Sequence, residues 1–308
     1  MTSPRAAVDV GSNSVRLLLT DPGGRRLSRH MEITRLAEGV DATGGLSDAA
    51  LERTLTVLAA FHERWTAAGV TDRVRIAATS AVRDASDRER FFDGVRERTG
   101  VEAEVLSGEE EAALAFAGAA GALEVPAPAA VIDIGGGSTE VIVGDERGAV
   151  RSAVSLQLGC VRVAERHLAT DPPSAVELVA ARSMIEDRLD HAEAVRAERQ
   201  ARLDGVATLI AVAGTATTLA ALHLGLESYD EDRIHGTRLP REALTELTAR
   251  LCAMTAAQRA ELGPVQPGRE DVLHGGAMVL QAALVRSGLE EVVVSEADTL
   301  DGLAASLD

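Results

Sequence analysis

One short pattern occurs twice in this sequence, and the repeat restricts the fold more than any other feature. It occupies residues 7–14 (AVDVGSNS) and residues 131–140 (VIDIGGGSTE). Each copy has an apolar run that ends in a carboxylate, a turn rich in glycine and small hydroxyl residues, and a second apolar run at 15–19 or 141–143. The pattern predicts two β-hairpins whose turn amides and hydroxyls can bind phosphate, while Asp9 and Asp133 can bind a cation.

Each predicted hairpin is followed by a similar succession of strand and helix patterns. In the first half, the patterns predict strands over 33–36, 73–79 and 101–106. They predict helices over 47–69, 86–100 (opened by a capping box, residues 86–89) and 111–123 (capped by residues 107–110). In the second half, they predict strands over 130–134, 150–156, 206–212 and 292–294, and helices over 172–202, 241–254, 272–286 and from Thr299 onward. The order predicts an α/β fold of two duplicated domains.

A break in these patterns at residues 125–128 (VPAP) marks the predicted domain boundary. The division gives an N-terminal domain of residues 1–125 and a C-terminal domain of residues 126–308, with the last helix free to pack back on the first domain. Because each domain carries one hairpin, we expect a cleft between them in which two phosphate-binding loops face each other.

Composition limits the class of protein. The 308 residues, 46% of them hydrophobic, suffice for one large core or two ordinary ones. No apolar stretch is long enough to cross a bilayer, and the predicted strand at the start leaves no room for a signal peptide. Cys160 and Cys252 have no metal-ligand spacing and are typical of buried thiols in a reducing compartment. We therefore expect a cytoplasmic protein without membrane association.

The charged residues exclude several further classes. All 31 basic residues are arginines, so a phosphate loop with a catalytic lysine, a lysine Schiff base and the strand lysine of protein kinases are excluded. The formal net charge of −17 argues against a general nucleic-acid binder, because that affinity depends on many cationic contacts. A polyanionic substrate remains compatible with this charge if a few arginines converge on one cleft.

Five motifs in order resemble the exopolyphosphatase/guanosine pentaphosphate phosphatase (Ppx/GppA) family. They are residues 9–17 (DVGSNSVRL), 78–83 (ATSAVR), 107–112 (SGEEEA), 133–140 (DIGGGSTE) and 213–219 (AGTATTL). One such motif alone would be weak, but five in order across the chain are specific. The resemblance implies duplicated actin-like (ribonuclease H-like) domains of the actin, sugar-kinase and heat-shock-protein ATPase (ASKHA) superfold, with an interdomain cleft.

Glu111 is the predicted catalytic residue. It lies in the first turn of a predicted helix, and the resemblance implies that its carboxylate activates the attacking water as a general base. The residues alone leave an alternative open, because Glu109, Glu110 and Glu111 would all favour a helix N-terminus as solvated partners of its dipole. Of the three, we interpret Glu110 as a residue without a catalytic role.

Carboxylates at the two hairpins predict a divalent metal site. Asp9 and Asp133 would repel a phosphate unless a cation lay between them, and Glu140 supplies a further carboxylate for metal or water. Mg²⁺ fits this set, with Mn²⁺ as an alternative. Each aspartate could instead cap its own turn by accepting from the glycine amides. We expect Asp133 and Glu140 to take part in catalysis as well as in metal binding.

The predicted phosphate ligands are turn residues and arginines. The resemblance implies this role for Arg16 and, more loosely, for Arg269, and an ordinary surface ion pair is the alternative for every arginine. Gly214 and Thr215 match the place where ATP-using relatives hold adenosine, or they only line the domain. The full set is Gly11, Ser12, Asn13, Ser14, Arg16, Arg83, Gly135, Gly136, Gly137, Ser138, Thr139, Gly214, Thr215 and Arg269.

Three functions are compatible with this site. The first is an exopolyphosphatase (a phosphoanhydride hydrolase) that releases orthophosphate from the ends of polyphosphate. The second is a guanosine pentaphosphate (pppGpp) 5′-phosphohydrolase with the same reacting end, and the third is a catalytically silent nucleotide or alarmone sensor. The sequence does not separate the first two. The resemblance also implies a homodimer, whereas structural roles are expected for His235 and His274.

The C-terminal region departs from the family. Residues 295–302 (SEADTLDG) carry acidic residues where the family often has a glycine and an arginine-glutamate pair. Longer members carry a further C-terminal region, whereas we expect this sequence to comprise the two-domain core. Together with the lack of lysine, this reduces the basic track that would hold a long polymer. The sequence therefore predicts a preference for short or medium polyphosphate, with low processivity.

Overall fold

The chain divides into two compact units in a computed structural model. The structure describes residues 3–12, 14–38, 40–198 and 201–307; within these ranges it does not describe the side chains of residues 41, 42, 80 and 195–198. Unit 1 comprises residues 1–118 and 299–308, and unit 2 comprises residues 119–298. The boundary after residue 118 therefore lies before the predicted boundary at residues 125–126, and the last helix belongs to unit 1. Asn13, a predicted phosphate ligand, lies outside the described residues.

Unit 1 is built on a five-stranded sheet in the order β3-β2-β1-β4-β5. Strands β1, β2 and β3 are antiparallel, whereas β4 and β5 run parallel to β1. The strands are β1 Arg5–Val10, β2 Ser14–Thr20, β3 Arg26–Ile33, β4 Val74–Ala78 and β5 Ala103–Val105. The helices are α1 Val40–Thr43, α2 Asp48–Ala67, α3 Ser80–Asp84, α4 Glu89–Thr99, α13 Thr299–Ala305 and α5 Gly108–Gly121, which begins in this unit.

Unit 2 repeats this arrangement with one added strand. Its order is β8-β7-β6-β9-β11-β10, in which β6, β7 and β8 are antiparallel and β9 and β11 run parallel to β6. The strands are β6 Ala129–Ile134, β7 Thr139–Gly144, β8 Val150–Leu156, β9 Thr208–Val212, β10 Arg238–Pro240 and β11 Glu291–Val294. The α-helices are α6 Cys160–His167, α7 Ala175–Glu198, α8 Ala213–His223, α9 Glu231–Ile234, α10 Arg241–Ala253, α11 Ala256–Ala260 and α12 Leu273–Ser287, with a 3₁₀ turn at Leu203–Gly205. The predicted duplicated α/β fold is confirmed.

Apolar spacing explains how each sheet is covered. In unit 1, α2 buries Leu51, Leu55 and Leu58 at helical spacing in a core shared with β1 and β2, and α13 buries Leu300 and Leu303 in a smaller cluster with other residues of the sheet. In unit 2, α8, α10 and α12 are buried with the residues of β6, β9 and β11. None of the described helices combines the length and the apolar character needed to span a bilayer.

Two local predictions were wrong, each because a side chain made a different bond. The predicted strand over 33–36 is replaced by β3, since Asp21 accepts from the amides of Gly23 and Arg25 at 2.9 Å and closes a tight turn between β2 and β3. The predicted capping box before α4 is absent. Ser86 donates its hydroxyl to the Gly44 carbonyl instead, at 2.8 Å. Helix α6, with only eight residues, was not predicted.

Candidate functional site

The first hairpin closes through its glycine. The Gly11 amide donates to the Ser14 carbonyl at 2.9 Å, and a side chain at Gly11 would place its Cβ 3.2 Å from that oxygen. The turn thus favours glycine and ends the β1–β2 ladder at Val10 and Val15. The next pair of directly opposed residues is Asp9 and Arg16, whose side chains therefore project from the same face of the sheet.

Asp9 and Arg16 form an ion pair inside unit 1. Nε of Arg16 donates to Oδ2 of Asp9 at 3.1 Å, and Nη2 donates to the same oxygen. The Asp9 side chain is only 6% exposed, and within the described part of the chain its Oδ1 has no hydrogen-bond partner. Arg16 thus supplies a charge that balances Asp9 within unit 1, and the expectation that Asp9 binds a metal ion stays a prediction. Arg16 in turn is held by its own hairpin.

The second hairpin has the same turn but a different charge pair. The Gly135 amide donates to the Ser138 carbonyl at 3.0 Å, and a Cβ at Gly135 would lie 3.3 Å from that oxygen. Asp133 lies directly opposite Glu140, at the positions that Asp9 and Arg16 occupy in the first hairpin. Two carboxylates therefore share one face of the β6–β7 ladder, an arrangement that a cation would stabilise.

Helix α6 anchors the glycine loop of the second hairpin by its carbonyl groups. The amide of Cys160 donates to the Gly135 carbonyl at 3.0 Å, and the amides of Val161 and Arg162 donate to the Gly136 carbonyl at 3.0 and 3.2 Å. Nε of Arg162 adds a bond to the Gly137 carbonyl at 2.8 Å. Three successive carbonyl groups of the loop are thus turned toward α6.

The opposite side of this loop is a row of amides. In a trans peptide the N–H points away from the preceding carbonyl, so the amides of Gly136, Gly137 and Ser138 point away from α6. Among the described residues none accepts a hydrogen bond from these three amides. Successive amides of this kind form an anion-binding nest. Gly159 permits the arrangement, because a Cβ there would lie 2.3 Å from the Gly136 carbonyl oxygen.

Thr139, the next residue, has a structural role. Its side chain is fully buried, and its hydroxyl donates to the Leu158 carbonyl. The prediction that this hydroxyl binds phosphate is therefore not supported. Glu140 is half-buried, and its Oε1 accepts from the Ser155 hydroxyl at 2.8 Å.

The two neighbouring glutamates at the start of α5 have different environments. Glu110 completes a capping box: its Oε2 accepts from the amide and hydroxyl of Ser107 at 2.9 and 2.8 Å, and its own amide donates to the Ser107 hydroxyl at 3.2 Å. These bonds lower the pKa of Glu110. Glu111 instead contacts Arg83, whose Nη1 donates to Oε2 of Glu111 at 3.1 Å.

Arg83 holds Glu111 at the carboxyl edge of the first sheet. Nη1 of Arg83 also donates to the Leu106 carbonyl at 2.9 Å, and the side chains of Arg83 and Glu111 remain 33% and 34% exposed. Backbone bonds from Thr79 to Val10 and from Leu106 to Ala78 align the ends of β1, β4 and β5. The Gly11 turn, α3 with Arg83 and α5 with Glu111 therefore follow neighbouring strand ends, where α/β sheets bind ligands.

At the end of β9, Gly214 supports the guanidinium of Arg269. A Cβ at Gly214 would lie 1.9 Å from Nη1 of Arg269, so only glycine allows this contact. The preceding residue, Ala213, adopts a left-handed backbone (φ 65°) that is uncommon for a residue with a side chain. Such a conformation persists only where the surroundings hold it. Gly214 and Arg269, two of the predicted phosphate ligands, are thus in contact within unit 2.

Thr215 lies beneath this contact rather than beside an open surface. It is 2% exposed, and its Oγ1 would lie 2.5 Å from a Cβ at Gly276. It also contacts the thiol of Cys160, whose pKa is raised by burial. The structure thus places the Thr215 side chain in the packing of α6, α8 and α12, and does not support its hydroxyl as a phosphate ligand.

Both histidines from glycine-bearing segments occupy structural positions. Nδ1 of His235 accepts from the Glu296 amide at 3.2 Å, which leaves Nε2 to donate to the Ala122 carbonyl at 3.1 Å. His274 is 2% exposed, and burial lowers its pKa to about 4. No cluster of three His, Cys, Asp or Glu side chains within the described ranges is arranged to hold a metal ion.

Comparison with known proteins shows the family of the chain. Residues 20–305 match the model of the Ppx/GppA phosphatase family. The chain is 41% identical over 319 residues to exopolyphosphatase 2 of Mycobacterium tuberculosis (strain ATCC 25618 / H37Rv), with 98% of each chain covered. The crystal structure of the type II variant of the Aquifex aeolicus Ppx/GppA phosphatase gives a TM-score of 0.88 at 28% identity, with 99% of each chain covered. An exopolyphosphatase-like protein of known structure gives a TM-score of 0.82 at 34% identity, with 98% of each chain covered.

Proposed function

Because the chain belongs to the Ppx/GppA phosphatase family, we propose that it is an exopolyphosphatase, which hydrolyses the terminal phosphoanhydride bond of inorganic polyphosphate and releases orthophosphate. The observation that carries the proposal is the amide nest formed by Gly136, Gly137 and Ser138, which has no acceptor among the described residues. A relative with the name exopolyphosphatase 2 supports the choice of substrate.

The nest suits the end of a phosphate chain. Its three amides present partial positive charge without a mobile side chain, so they can hold non-bridging oxygens at little entropic cost. The guanidinium of Arg269 adds a charge-assisted donor, which a chain without lysine must take from arginine. In this proposal these groups bind the substrate and stabilise charge that develops on the transferred phosphoryl group.

Glu111 is the proposed general base. Its carboxylate takes the proton from the attacking water as the oxygen–phosphorus bond forms, while the remaining polyphosphate leaves. Arg83 holds one carboxylate oxygen, Oε2, at 3.1 Å, and this bond fixes the orientation of the side chain. Glu110 is excluded from the role because its Oε2 already accepts two bonds from Ser107.

Mg²⁺ or Mn²⁺ is part of the proposal, and the residues present fit such an ion. Asp133 and Glu140 provide two carboxylates that are directly opposed, and no third acidic, histidine or cysteine ligand completes a cage among the described residues. Mg²⁺ commonly takes one or two carboxylates and fills its remaining positions with waters and phosphate oxygens. When bound, the ion neutralises phosphate charge. Asp9 is left out of this set because Arg16 already balances its charge, whereas Asp133 and Glu140 are two like charges opposite each other.

The proposal is tested by phosphate release from polyphosphate, pppGpp and ATP with Mg²⁺, with polyphosphate measured at several chain lengths. We expect the highest kcat/KM on polyphosphate of short or medium length. A higher kcat/KM on pppGpp would assign the alarmone function instead. Absence of release from all three substrates would favour the silent sensor. Cytoplasmic localisation and a homodimer are further parts of the proposal.

A further inference from the structure

Arg259 is a buried charge outside the proposed site. It lies in the short helix α11, and only 2% of its surface is exposed. A guanidinium in such a position loses its hydration, which is unfavourable unless hydrogen bonds compensate. Burial also lowers the pKa of Arg259. Apolar packing alone would not require an arginine here, so its contacts indicate its role.

The guanidinium of Arg259 joins three segments of unit 2. Nη1 donates to the carbonyls of Leu251, at 3.0 Å, and Met254, where α10 ends and its carbonyl groups favour a cation. Nη2 lies 3.5 Å from Oδ1 of Asp171, whose side chain is 48% exposed. Nε donates to the carbonyl of Glu270 at 2.5 Å. This last bond points to a function beyond packing.

Glu270 follows Arg269 directly in a compact turn. The Arg269 amide donates to the Gln266 carbonyl at 3.1 Å, and the Arg269 carbonyl accepts from the amide of Leu273 at 2.9 Å as α12 begins. The carboxylate of Glu270 also accepts from the Gly268 amide at 2.6 Å. The bond from Arg259 fixes the peptide that ends this turn. The conformation of this turn sets the direction from which the Arg269 guanidinium approaches Gly214.

We propose that Arg259 is a positioning residue for Arg269. It holds the Glu270 carbonyl and thereby keeps the Arg269 guanidinium over Gly214, ready to bind phosphate. The inference rests on the proposed function, in which Arg269 binds the polyphosphate end. Loss of the Nε donor would allow the turn to move, so the substrate would have to order Arg269 when it binds. The affinity for polyphosphate would therefore fall, while the rate of hydrolysis in the bound complex would stay the same.

A double-mutant cycle tests the proposal with the full-length chain. The variants are Arg259→Lys, Arg269→Ala and the double variant, each assayed for kcat and KM with polyphosphate and for stability by urea unfolding. We expect Arg259→Lys to raise KM about five- to tenfold with less than a twofold change in kcat. In the Arg269→Ala background the same change should alter KM by less than twofold, because its target is gone.

The outcomes distinguish an error in the phosphate role of Arg269 from an error in the positioning role of Arg259. If Arg269→Ala leaves KM unchanged, the phosphate role of Arg269 is wrong and the positioning role falls with it. If Arg269→Ala raises KM, but Arg259→Lys has no effect or has the same effect in both backgrounds, only the positioning role is wrong. If Arg259→Lys does not fold, Asp171→Asn replaces it. That variant keeps an acceptor for the Ala256 amide and removes the charge facing Nη2. We then expect a three- to fourfold rise in KM that is absent in the Arg269→Ala background, and an unchanged KM in the Asp171→Asn single variant would overturn the positioning role.

Discussion

Asp9 and Arg16 face each other across β1 and β2 and form an ion pair, whereas the equivalent positions of the second hairpin hold Asp133 and Glu140. The two hairpins share one turn geometry but differ in charge at this pair. The first hairpin balances its aspartate internally. The second presents two carboxylates on one face, together with an amide nest, and this difference is why we propose that cation and phosphate bind there.

Breaking the Asp9–Arg16 pair should weaken the fold. We expect Asp9→Asn to lower the free energy of unfolding by about 1–3 kcal/mol, because it removes the charged partner from an ion pair whose carboxylate is almost fully buried. Urea unfolding measures the effect. Glu38→Gln is the control, since it removes an exposed pair with Arg53, for which less than about 1 kcal/mol is expected. If both variants lost the same free energy of unfolding, the Asp9–Arg16 pair would contribute no more to stability than an exposed ion pair.

Removing the second carboxylate of the other hairpin should have the opposite effect on stability. In metal-free buffer we expect Glu140→Gln to leave the free energy of unfolding unchanged or to raise it by a few tenths of a kcal/mol, because like charges directly opposed are destabilising. Glutamine keeps an oxygen for the Ser155 hydroxyl. The Mg²⁺ concentration for half-maximal activity should rise.

Glu146→Gln is the control for this prediction, because Glu146 is an exposed residue of the turn between β7 and β8. Glu146→Gln should change neither the free energy of unfolding nor the Mg²⁺ concentration for half-maximal activity. A marked loss of stability in metal-free Glu140→Gln, or an unchanged Mg²⁺ requirement, would contradict the role given to Glu140.

The neighbouring glutamates of α5 provide a matched pair for the catalytic role. We expect Glu111→Gln to lower kcat by about 10²–10⁴-fold with little change in stability, because the amide keeps an acceptor for Arg83 but cannot take a proton. Glu110→Gln should keep kcat within about twofold. Glutamine also fits the capping box, so stability should fall by no more than about 1 kcal/mol. Steady-state kinetics decide between them; a larger loss of kcat in Glu110→Gln would move the base to that residue.

Local patterns in the sequence were sufficient for the two hairpins and for the capping box at Ser107 and Glu110. The Asp9–Arg16 pair was also within reach, because a turn closed at Gly11 and Ser14 places these residues opposite each other. It was not predicted, because no basic residue is adjacent to Asp9 in the sequence. Counting outward from each turn would have found it.

Other features depend on contacts that no local pattern contains. Helix α6 binds the glycine loop of the second hairpin from beyond β8, and its eight residues give too little periodicity for a prediction. The bond from Arg259 to the Glu270 carbonyl is likewise a product of packing. Such relationships are set by tertiary structure, so the sequence indicated the ligand chemistry of the loop but not what holds it in place.

Burial of His274 predicts a loss of stability in acid. Burial lowers its pKa from 6.5 to about 4, and the charge of Arg259 adds to the effect. The unfolded chain therefore binds more protons than the folded one between these values, and stability should fall as the pH drops from about 6.5 toward 4. The contribution is at most roughly 3 kcal/mol. We expect His274→Gln to flatten this part of the curve of unfolding free energy against pH, whereas the exposed His191→Gln should leave it unchanged. If the wild type, His274→Gln and His191→Gln all gave the same slope of unfolding free energy against pH, His274 would not be the group responsible.

Substitution at Gly214 should separate phosphate affinity from stability. A Cβ at this position would lie 1.9–2.2 Å from the guanidinium atoms of Arg269, so Gly214→Ala must displace that group. The obstacle is the far end of a flexible side chain rather than backbone, and therefore the fold can accommodate the methyl group. We expect Gly214→Ala to raise KM for polyphosphate about five- to tenfold and to change the free energy of unfolding by less than about 1 kcal/mol.

Substitutions at two other glycines provide controls for this prediction. Gly205→Ala meets no atom within 4 Å and should alter neither KM nor stability. Gly159→Ala would place its Cβ 2.3 Å from the Gly136 carbonyl oxygen, a backbone atom held by α6, and should lower both stability and affinity because the nest itself must move. If Gly214→Ala behaved like Gly205→Ala, the position of Arg269 over Gly214 would have no bearing on substrate binding. If it behaved like Gly159→Ala, the contact would be structural. Only a rise in KM at constant stability assigns it to the phosphate.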